Sequence, residues 1–494
     1  MLAYVILLPL HVLVNADSLG KSKSELGGKV EHHLSAELKE TMDEFRVELE
    51  ELKENIEAKL TLNETVQAKV TKRVERVKRT EVDQVQKEGD SIDDINENAG
   101  VRKLLYQGDI VLTKRQSKKI LEEIRGDSRS KRQAYRDDYY PWTTWINKTV
   151  PYFFDSSASS TVKSAFKKAA ELWAKDTCLD ILEDDTAPES IRVLDSGGCW
   201  SHIGRIGGIQ NLSIDEKCSA IGAAAHELGH ALGFFHTQSR YDRDSYVTVV
   251  KDRIRDEWLD QYILGTPQTN DNYGLPYDYG SLMHYGATSG LKDKKRKLLT
   301  ILPMDLAYID TLGSPFISFI DLLMINKHYN CTEDCPANGS AKCANNGFPH
   351  PRNCSECICP GGYGGPLCTD RPEGCGEILD AQYYPIEWVA SVGNNSASEA
   401  LREDFDICYY WIKAPVGRKV VVELLSFKPK GIAVDGCVYG GVEIKWHWDQ
   451  RRTGSRYCSR HGSYTALTST SNIMPIIIYS RHDKTTARIK YYYI

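Results

Sequence analysis

Fourteen cysteines, all between Cys178 and Cys458, constrain this chain more than any other feature of its sequence. An even number crowded into one stretch points to disulfides, hence to an oxidising compartment. The first 177 residues carry none and must fold by packing alone. The full 494 residues exceed one ordinary domain. A net charge of −6 excludes a binder that works through phosphate contacts, so no nucleic-acid partner is expected. The N-terminus agrees on compartment. Leu2 to Val14 is apolar, and Val14-Asn15-Ala16 has the small residues of a cleavage site, which predicts a signal peptide over 1–16 and a secreted, extracellular protein. A membrane anchor is the alternative, but the run is short of the ~20 residues that a span needs, and no later segment qualifies. N-x-[ST] triplets at Asn63, Asn147, Asn211, Asn330, Asn338, Asn353 and Asn394 are candidate glycosylation sites.

Residues 17–132 are rich in Lys and Glu. Within them Leu34, Leu38, Met42, Phe45, Leu49, Leu52, Ile56 and Leu60 recur at spacings of three and four, the stripe of an amphipathic helix. It packs on its neighbours or pairs in a short coiled coil. The stretch ends at Arg129-Ser130-Lys131-Arg132, before Gln133. A basic run is often solvated surface, but here composition changes abruptly to aromatic-rich, which favours a cut between Arg132 and Gln133 by a furin-like processing protease. From Tyr139 to Tyr329 the pattern is that of a mixed α/β domain. Val150–Phe154 reads as a strand, the face Val162, Phe166, Ala169, Trp173 as a helix, Ile203–Ile209 as a Gly-bearing edge strand, and Ser219–Leu232 as a helix stopped at Gly233. Cys335 to Cys368 holds shape only through disulfides. Beyond Cys375, short alternating runs such as Lys419–Leu424 and Ile476–Tyr479 suggest an antiparallel β-sandwich.

The chemistry is concentrated in His226-Glu227-Leu228-Gly229-His230-Ala231-Leu232-Gly233-Phe234-Phe235-His236. On a helix His226 and His230 share one face, Gly233 permits the chain to turn, and His236 can return as a third ligand. Three neutral imidazoles leave a tetrahedral Zn2+ with one open position for water, beside which Glu227 can act as general base. Further on, Ser281-Leu282-Met283-His284-Tyr285 reads as the methionine turn that lies beneath the metal in metzincin proteases.

Together with Ser239–Asp244 and Gly198–Arg205, these residues resemble the astacin family of zinc endopeptidases over about 200 residues. The resemblance implies a secreted zymogen that hydrolyses internal peptide bonds of extracellular proteins with one Zn2+ per subunit, held by His226, His230 and His236. Glu227 would be the base, Tyr285 a switchable fifth ligand that assists the oxyanion, and Met283 an apolar floor. Tyr106-Gln107-Gly108-Asp109-Ile110 looks like the family's inhibitory segment, in which Asp109 blocks the zinc. Substrate would add as a strand near Trp200 and Ser201. The resemblance also implies disulfides Cys178–Cys331 and Cys199–Cys218. Cys335 to Cys368 resembles an EGF-like module, paired Cys335–Cys354, Cys343–Cys357 and Cys359–Cys368, although six cysteines alone leave fifteen pairings. The segment opened by Cys375-Gly376 resembles a CUB domain, paired Cys375–Cys408 and Cys437–Cys458. The implied multidomain order is signal peptide 1–16, helical propeptide 17–132, α+β metzincin protease domain 133–331, EGF-like 332–371 and all-β CUB sandwich 375–494. Extracellular matrix is a substrate class by family analogy only. One position departs from the family. Where most members carry a Glu that meets a buried mature N-terminus, this chain has Thr237, which implies activation without a terminal ion pair; the alternative is that a nearby acid, Asp242 or Asp244, takes over the role. The rival reading is a matrix-assembly protein with an inert protease domain; the complete ligand set, Glu227 and Tyr285 argue against it.

Overall fold

The apolar stripe of the N-terminal segment finds its partner in the same chain. The computed structural model describes residues 34–76, 82–125, 134–135, 140–265, 270–293, 298–336, 338–394, 401–459 and 466–494. The expected signal peptide at 1–16, the run Arg129–Arg132 and Gln133 lie outside the described residues. Helix α1 (Ala36–Glu51) starts at Ser35, whose hydroxyl caps Leu38 N–H, and is followed by α2 (Lys53–Leu60) and α3 (Glu64–Arg76). Met42, Phe45, Leu49, Leu52, Ile56 and Leu60 are buried in one cluster with Ile254, Trp258 and Leu259 of the next domain. The stripe therefore packs on neighbours, and no coiled-coil partner is needed. Helix α4 (Ile92–Ala99), strand β1 (Ile110–Val111) and α5 (Lys114–Arg125) complete this segment.

The central domain opens with β2 (Ala134–Tyr135), already buried. Its core is a parallel sheet of β3 (Thr149–Phe154), β4 (Asp180–Glu183), β5 (Ser190–Leu194) and β7 (Ile209–Ser213) in the order β4-β3-β5-β7. Between β5 and β7 the two-residue strand β6 (Ser201–His202) pairs in parallel with β1. The edge strand expected over Ile203–Ile209 begins instead at Ile209. Gly204, Gly207 and Gly208 take left-handed φ of +67°, +88° and +64°, so this stretch turns where a strand would extend. Helix α6 (Ser160–Lys175) buries Val162, Phe166, Ala169 and Trp173, and the Trp173 indole N–H donates to Ala225 O at 2.9 Å, tying α6 to α7 (Ile221–Ala231). Strand β8 (Val247–Val249) pairs with β10 (Ile301–Pro303), and β9 (Asn270–Asp271) with β2; α8 (Phe319–His328) closes the domain. Disulfides Cys178–Cys331 and Cys199–Cys218 staple it.

Three disulfides, Cys335–Cys354, Cys343–Cys357 and Cys359–Cys368, then hold a small hairpin of β11 (Phe348–His350) and β12 (Asn353–Ile358). The C-terminal region is β-rich. One sheet runs β13-β15-β20-β17-β18, from β13 (Ile378–Asp380), β15 (Asp406–Lys413), β17 (Gly440–Ile444), β18 (Ser455–Tyr457) and β20 (Ile473–Ser480). The other runs β14-β21-β16-β19, from β14 (Ile386–Gly393), β16 (Val420–Lys428), β19 (Ala466–Thr468) and β21 (Lys484–Tyr493). Pairings are antiparallel except that β13 lies parallel to β15. Inward residues such as Val422, Leu424, Ile476, Ile478 and Ile489 form the core between the sheets, and Cys375–Cys408 and Cys437–Cys458 staple it.

This sandwich is seated on the central domain by buried polar contacts. Asp435 Oδ2 accepts both the N–H (2.7 Å) and the hydroxyl (2.6 Å) of Thr288. Thr453 donates its N–H and hydroxyl to the Asp278 carboxylate, both at 3.0 Å. Arg456, paired with Glu443, donates to Ser314 at 2.6 Å. Gly436 comes so near the Gly313 carbonyl that a Cβ would stand 1.8 Å from its oxygen.

Candidate active site

An Ala-rich helix can press closely against its neighbours, and α7 does. A Cβ on Gly229 would stand 2.9 Å from Met283 Sδ, so the helix lies directly on the methionine turn. The chain leaves α7 at Gly233, whose φ of +116° an L side chain resists, and returns His236 to the same point. His226 Nε2 and His236 Nε2 stand 3.2 Å apart. Each ring is oriented by its other nitrogen: Nδ1 of His226 meets Leu282 O at 2.9 Å, that of His230 Phe234 O at 2.7 Å, and that of His236 Gln107 Oε1 at 3.0 Å. An Nδ1–H that donates leaves the Nε2 lone pair free for a ligand.

Asp109, from the N-terminal segment, lies on the same point. Its Oδ2 is 3.1 Å from His236 Nε2 and 3.3 Å from His226 Nε2, and its Oδ1 is 3.6 Å from His230 Nε2. The four ligand atoms lie within 4.8 Å of one another, all from buried residues. Among the described residues, His230 Nε2 and Asp109 Oδ1 are buried with no hydrogen-bond partner, the unmet lone pairs that a cation would satisfy. Burial holds His230 below its ordinary pKa and takes His236 down to about 4, which keeps both rings neutral as ligands must be. Burial works to raise Asp109, but the surrounding imidazoles, His236 foremost, hold it well below the carboxylate range. Three imidazoles and a carboxylate fit one zinc ion.

Glu227 is fully buried beside these ligands, and neither carboxylate oxygen has a hydrogen-bond partner among the described residues. Its pKa is pushed well up by burial and then by the charge of Asp109. The Tyr285 ring packs tilted against that of His236, centroids 4.7 Å apart, and its hydroxyl donates to Gln107 O. His284 is buried, with Nε2 on Tyr277 OH at 2.6 Å and Nδ1 on Tyr285 O at 2.7 Å, a structural placement. Asp321 at the start of α8 accepts from Ser281 (2.6 Å) and Leu282 N–H (2.9 Å), anchoring the methionine turn.

Two residues that sequence reasoning passed over converge here. Gln107 contacts the site three ways: Oε1 to His236, Nε2 donating to Ser239 Oγ at 2.8 Å, and its carbonyl to Tyr285. It stood as the variable place in an aromatic-x-Gly-Asp order. Asn96 donates to Gly108 O (2.9 Å) and Cys199 O (2.6 Å) and accepts from Cys199 N–H (2.8 Å), bridging the two segments that pair as β1 and β6. Trp200 is fully buried, and Ser201 N–H donates to Asp109 O at 2.9 Å, so the N-terminal segment occupies this edge. Thr237 donates to Ser281 Oγ at 2.8 Å, while Asp242 and Asp244 pair with Arg240 and Arg243. Ala134 and Tyr135 are buried, Tyr135 N–H donating to Gly233 O at 3.0 Å. Of the glycosylation triplets, Asn63, Asn147, Asn330, Asn338, Asn353 and Asn394 are exposed and Asn211 half-buried.

Three histidines on a helix and its following turn, over a methionine turn, define a zinc centre of the metallopeptidase class. A family model described as Astacin, a family of peptidases, matches residues 137–330. The chain is 46% identical over 414 residues to zinc metalloproteinase nas-31 of Caenorhabditis elegans, covering 83% of this chain and 66% of that protein. It is 38% identical over 375 residues to zinc metalloproteinase nas-25 of the same organism, covering 74% and 91%. Among solved structures, high choriolytic enzyme 1, a hatching enzyme zinc-protease of Oryzias latipes, is 30% identical with TM-score 0.37, covering 40% of this chain and 98% of that one. The chain belongs to the astacin family. It spans just under two thirds of the length of nas-31, 66%.

Proposed function

We propose that this protein is a secreted zinc endopeptidase, made as a zymogen and acting on extracellular proteins, with matrix proteins as the substrate class. Its carrying observation is the convergence of His226, His230 and His236 with an unpartnered Glu227 under an Asp109 from the N-terminal segment. On this reading residues 17–132 are the propeptide, removed by a furin-like protease between Arg132 and Gln133. Residues 332–371 are an EGF-like module and 375–494 a CUB domain; their paired cysteines and two-sheet topology support those identities.

When bound, zinc supplies a Lewis acid that acidifies water and polarises a carbonyl. Departure of Asp109 frees the ligand position, and departure of Gln107 frees the Tyr285 hydroxyl. The substrate backbone takes the edge at Ser201 and His202 that β1 vacates. Glu227 takes a proton from the attacking water and returns it to the leaving amine nitrogen. The Tyr285 hydroxyl donates to the carbonyl oxygen as charge develops there.

Cleaving the purified chain after Arg132 and supplying a quenched peptide library tests this. Turnover that chelation removes and zinc restores, with one zinc per chain, is expected. A processed, zinc-loaded chain that cuts no peptide overturns the proposal.

A further inference from the structure

The N-terminal segment touches more than the zinc centre. Asp83 N–H donates to Ala433 O at 3.0 Å, and Ala433 N–H donates back to Asp83 Oδ2 at 2.8 Å. Val85 packs against the sandwich core. The Tyr439 hydroxyl donates to Asp90 Oδ1, and Gln86 Nε2 donates to the same hydroxyl oxygen at 3.1 Å. So residues 83–90 lie on the sandwich as a peptide held at two carboxylates.

The surface they cover continues into the cleft. A single cavity of about 300 Å3 runs from His226 and Tyr285 past Thr288 to Tyr439 and Arg481. Its far wall belongs to the sandwich, and that wall is fixed. The Gly436–Gly313 approach and the Asp435–Thr288 and Thr453–Asp278 bonds leave no room for a loosely tethered module. This wall and the adjoining Ala433 offer donors: Ala433 N–H, Tyr439 OH, and Arg481, whose Nε is buried without a hydrogen-bond partner among the described residues. The acid on this wall, Asp435, already accepts two bonds from Thr288.

We propose that Ala433, Tyr439 and Arg481 form a docking site for an acidic stretch of the polypeptide substrate, one that Asp83 to Asp90 fill until the propeptide leaves. This deepens the peptidase reading and rests on it. The backbone of Ala433 grips an extended segment through main-chain bonds, and the Tyr439 hydroxyl and Arg481 select carboxylates by charge-assisted bonds. Substrate is then read in two places, and the sandwich sets preference for sequence away from the scissile bond.

The test uses the full chain cut after Arg132 and separated from its released segment. First, Glu227→Ala enzyme is titrated with a fluorescent peptide of residues 82–92. Binding is expected, weakened about tenfold or more by Tyr439→Phe in the enzyme or by Asp83→Asn with Asp90→Asn in the peptide. Second, kcat/KM is compared for one cleavable peptide with and without an acidic extension, placed on either side of the scissile bond. The extension should raise kcat/KM about tenfold on one side, and Tyr439→Phe should erase that ratio. Absent peptide binding, binding indifferent to Tyr439 and the carboxylates, or a ratio near one for both extensions overturns the site. No turnover of any peptide, with binding intact, overturns the peptidase reading and leaves the site standing.

Discussion

Gln107→Ala isolates how much of the proposed latency rests on something other than the Asp109 carboxylate. The side chain is buried and makes two bonds to the central domain, at 3.0 Å to His236 Nδ1 and 2.8 Å to Ser239 Oγ. Its backbone sits at φ +47°, and both Gln and Ala meet the same left-handed cost there, so the substitution reports the side chain alone. Each bond contributes about 0.5–1.5 kcal/mol net, and stranding a buried partner adds about 1–3 kcal/mol, less where water enters. Roughly 2–4 kcal/mol of the hold is at stake, or about a 30- to 1000-fold larger open fraction. The assay is turnover of a quenched peptide by uncut full-length chain whose Arg129–Arg132 run has been removed. Turnover should rise by that factor over the uncut parent. If Gln107→Ala stays as silent as the parent while Asp109→Ala leaks, the amide contributes nothing and the carboxylate alone blocks the site.

Glu227→Ala should retain zinc and fold, by metal analysis and circular dichroism, yet lose about 10²–10⁴ in rate; near-normal turnover would remove its role as base. Asp109→Ala in the uncut chain should leak activity, and complete silence would assign latency to bulk coverage of the cleft. Burial raises Asp93 of α4 to about 7, outweighing the lowering by Arg102. Its docked value thus lies above its free one, so docking takes up a proton, is tightest below about pH 4 and weakens as pH rises through 7. Hydrogen exchange of α4 across pH 5–8 should show that slope, and Asp93→Asn should flatten it; an unchanged slope assigns it elsewhere. Two residues added before Gln133 in the mature enzyme should leave turnover within about threefold, because Thr237 is engaged with Ser281 and supplies no charge to a terminus. A hundredfold loss would mean that a specific terminus is required, equivalent to about 2.7 kcal/mol.

The geometry of the zinc site is local, and for that reason much of it was legible. His226 and His230 share a helix face by spacing alone, and Gly233 marks where the chain can turn toward His236. The disulfide pairing was not readable from spacing and entered only through resemblance. The edge strand was misplaced because Ile203, Ile206 and Ile209 are β-branched residues that favour strands, while three left-handed glycines between them force a turn. Gln107 was invisible because its partners, His236 and Ser239, lie 129 and 132 residues away. The seating of the sandwich depends likewise on Gly313 meeting Gly436 and Asp278 meeting Thr453, encounters that no local pattern encodes.

The N-terminal segment grips two surfaces at once, its helices on the central domain and Asp83 to Asp90 on the sandwich. Two attachments on one chain reinforce each other, since either one, while held, keeps the other at millimolar effective concentration. A single cut after Arg132 leaves that avidity intact. On the proposed reading the severed piece would behave as a slowly dissociating product inhibitor, and activity would lag behind cleavage by its residence time. A second cut between α3 and Asp83 would free α1 to α3 alone; the remainder still holds Asp109 at the zinc site and Asp83 to Asp90 on the sandwich, so its double grip would survive that cut.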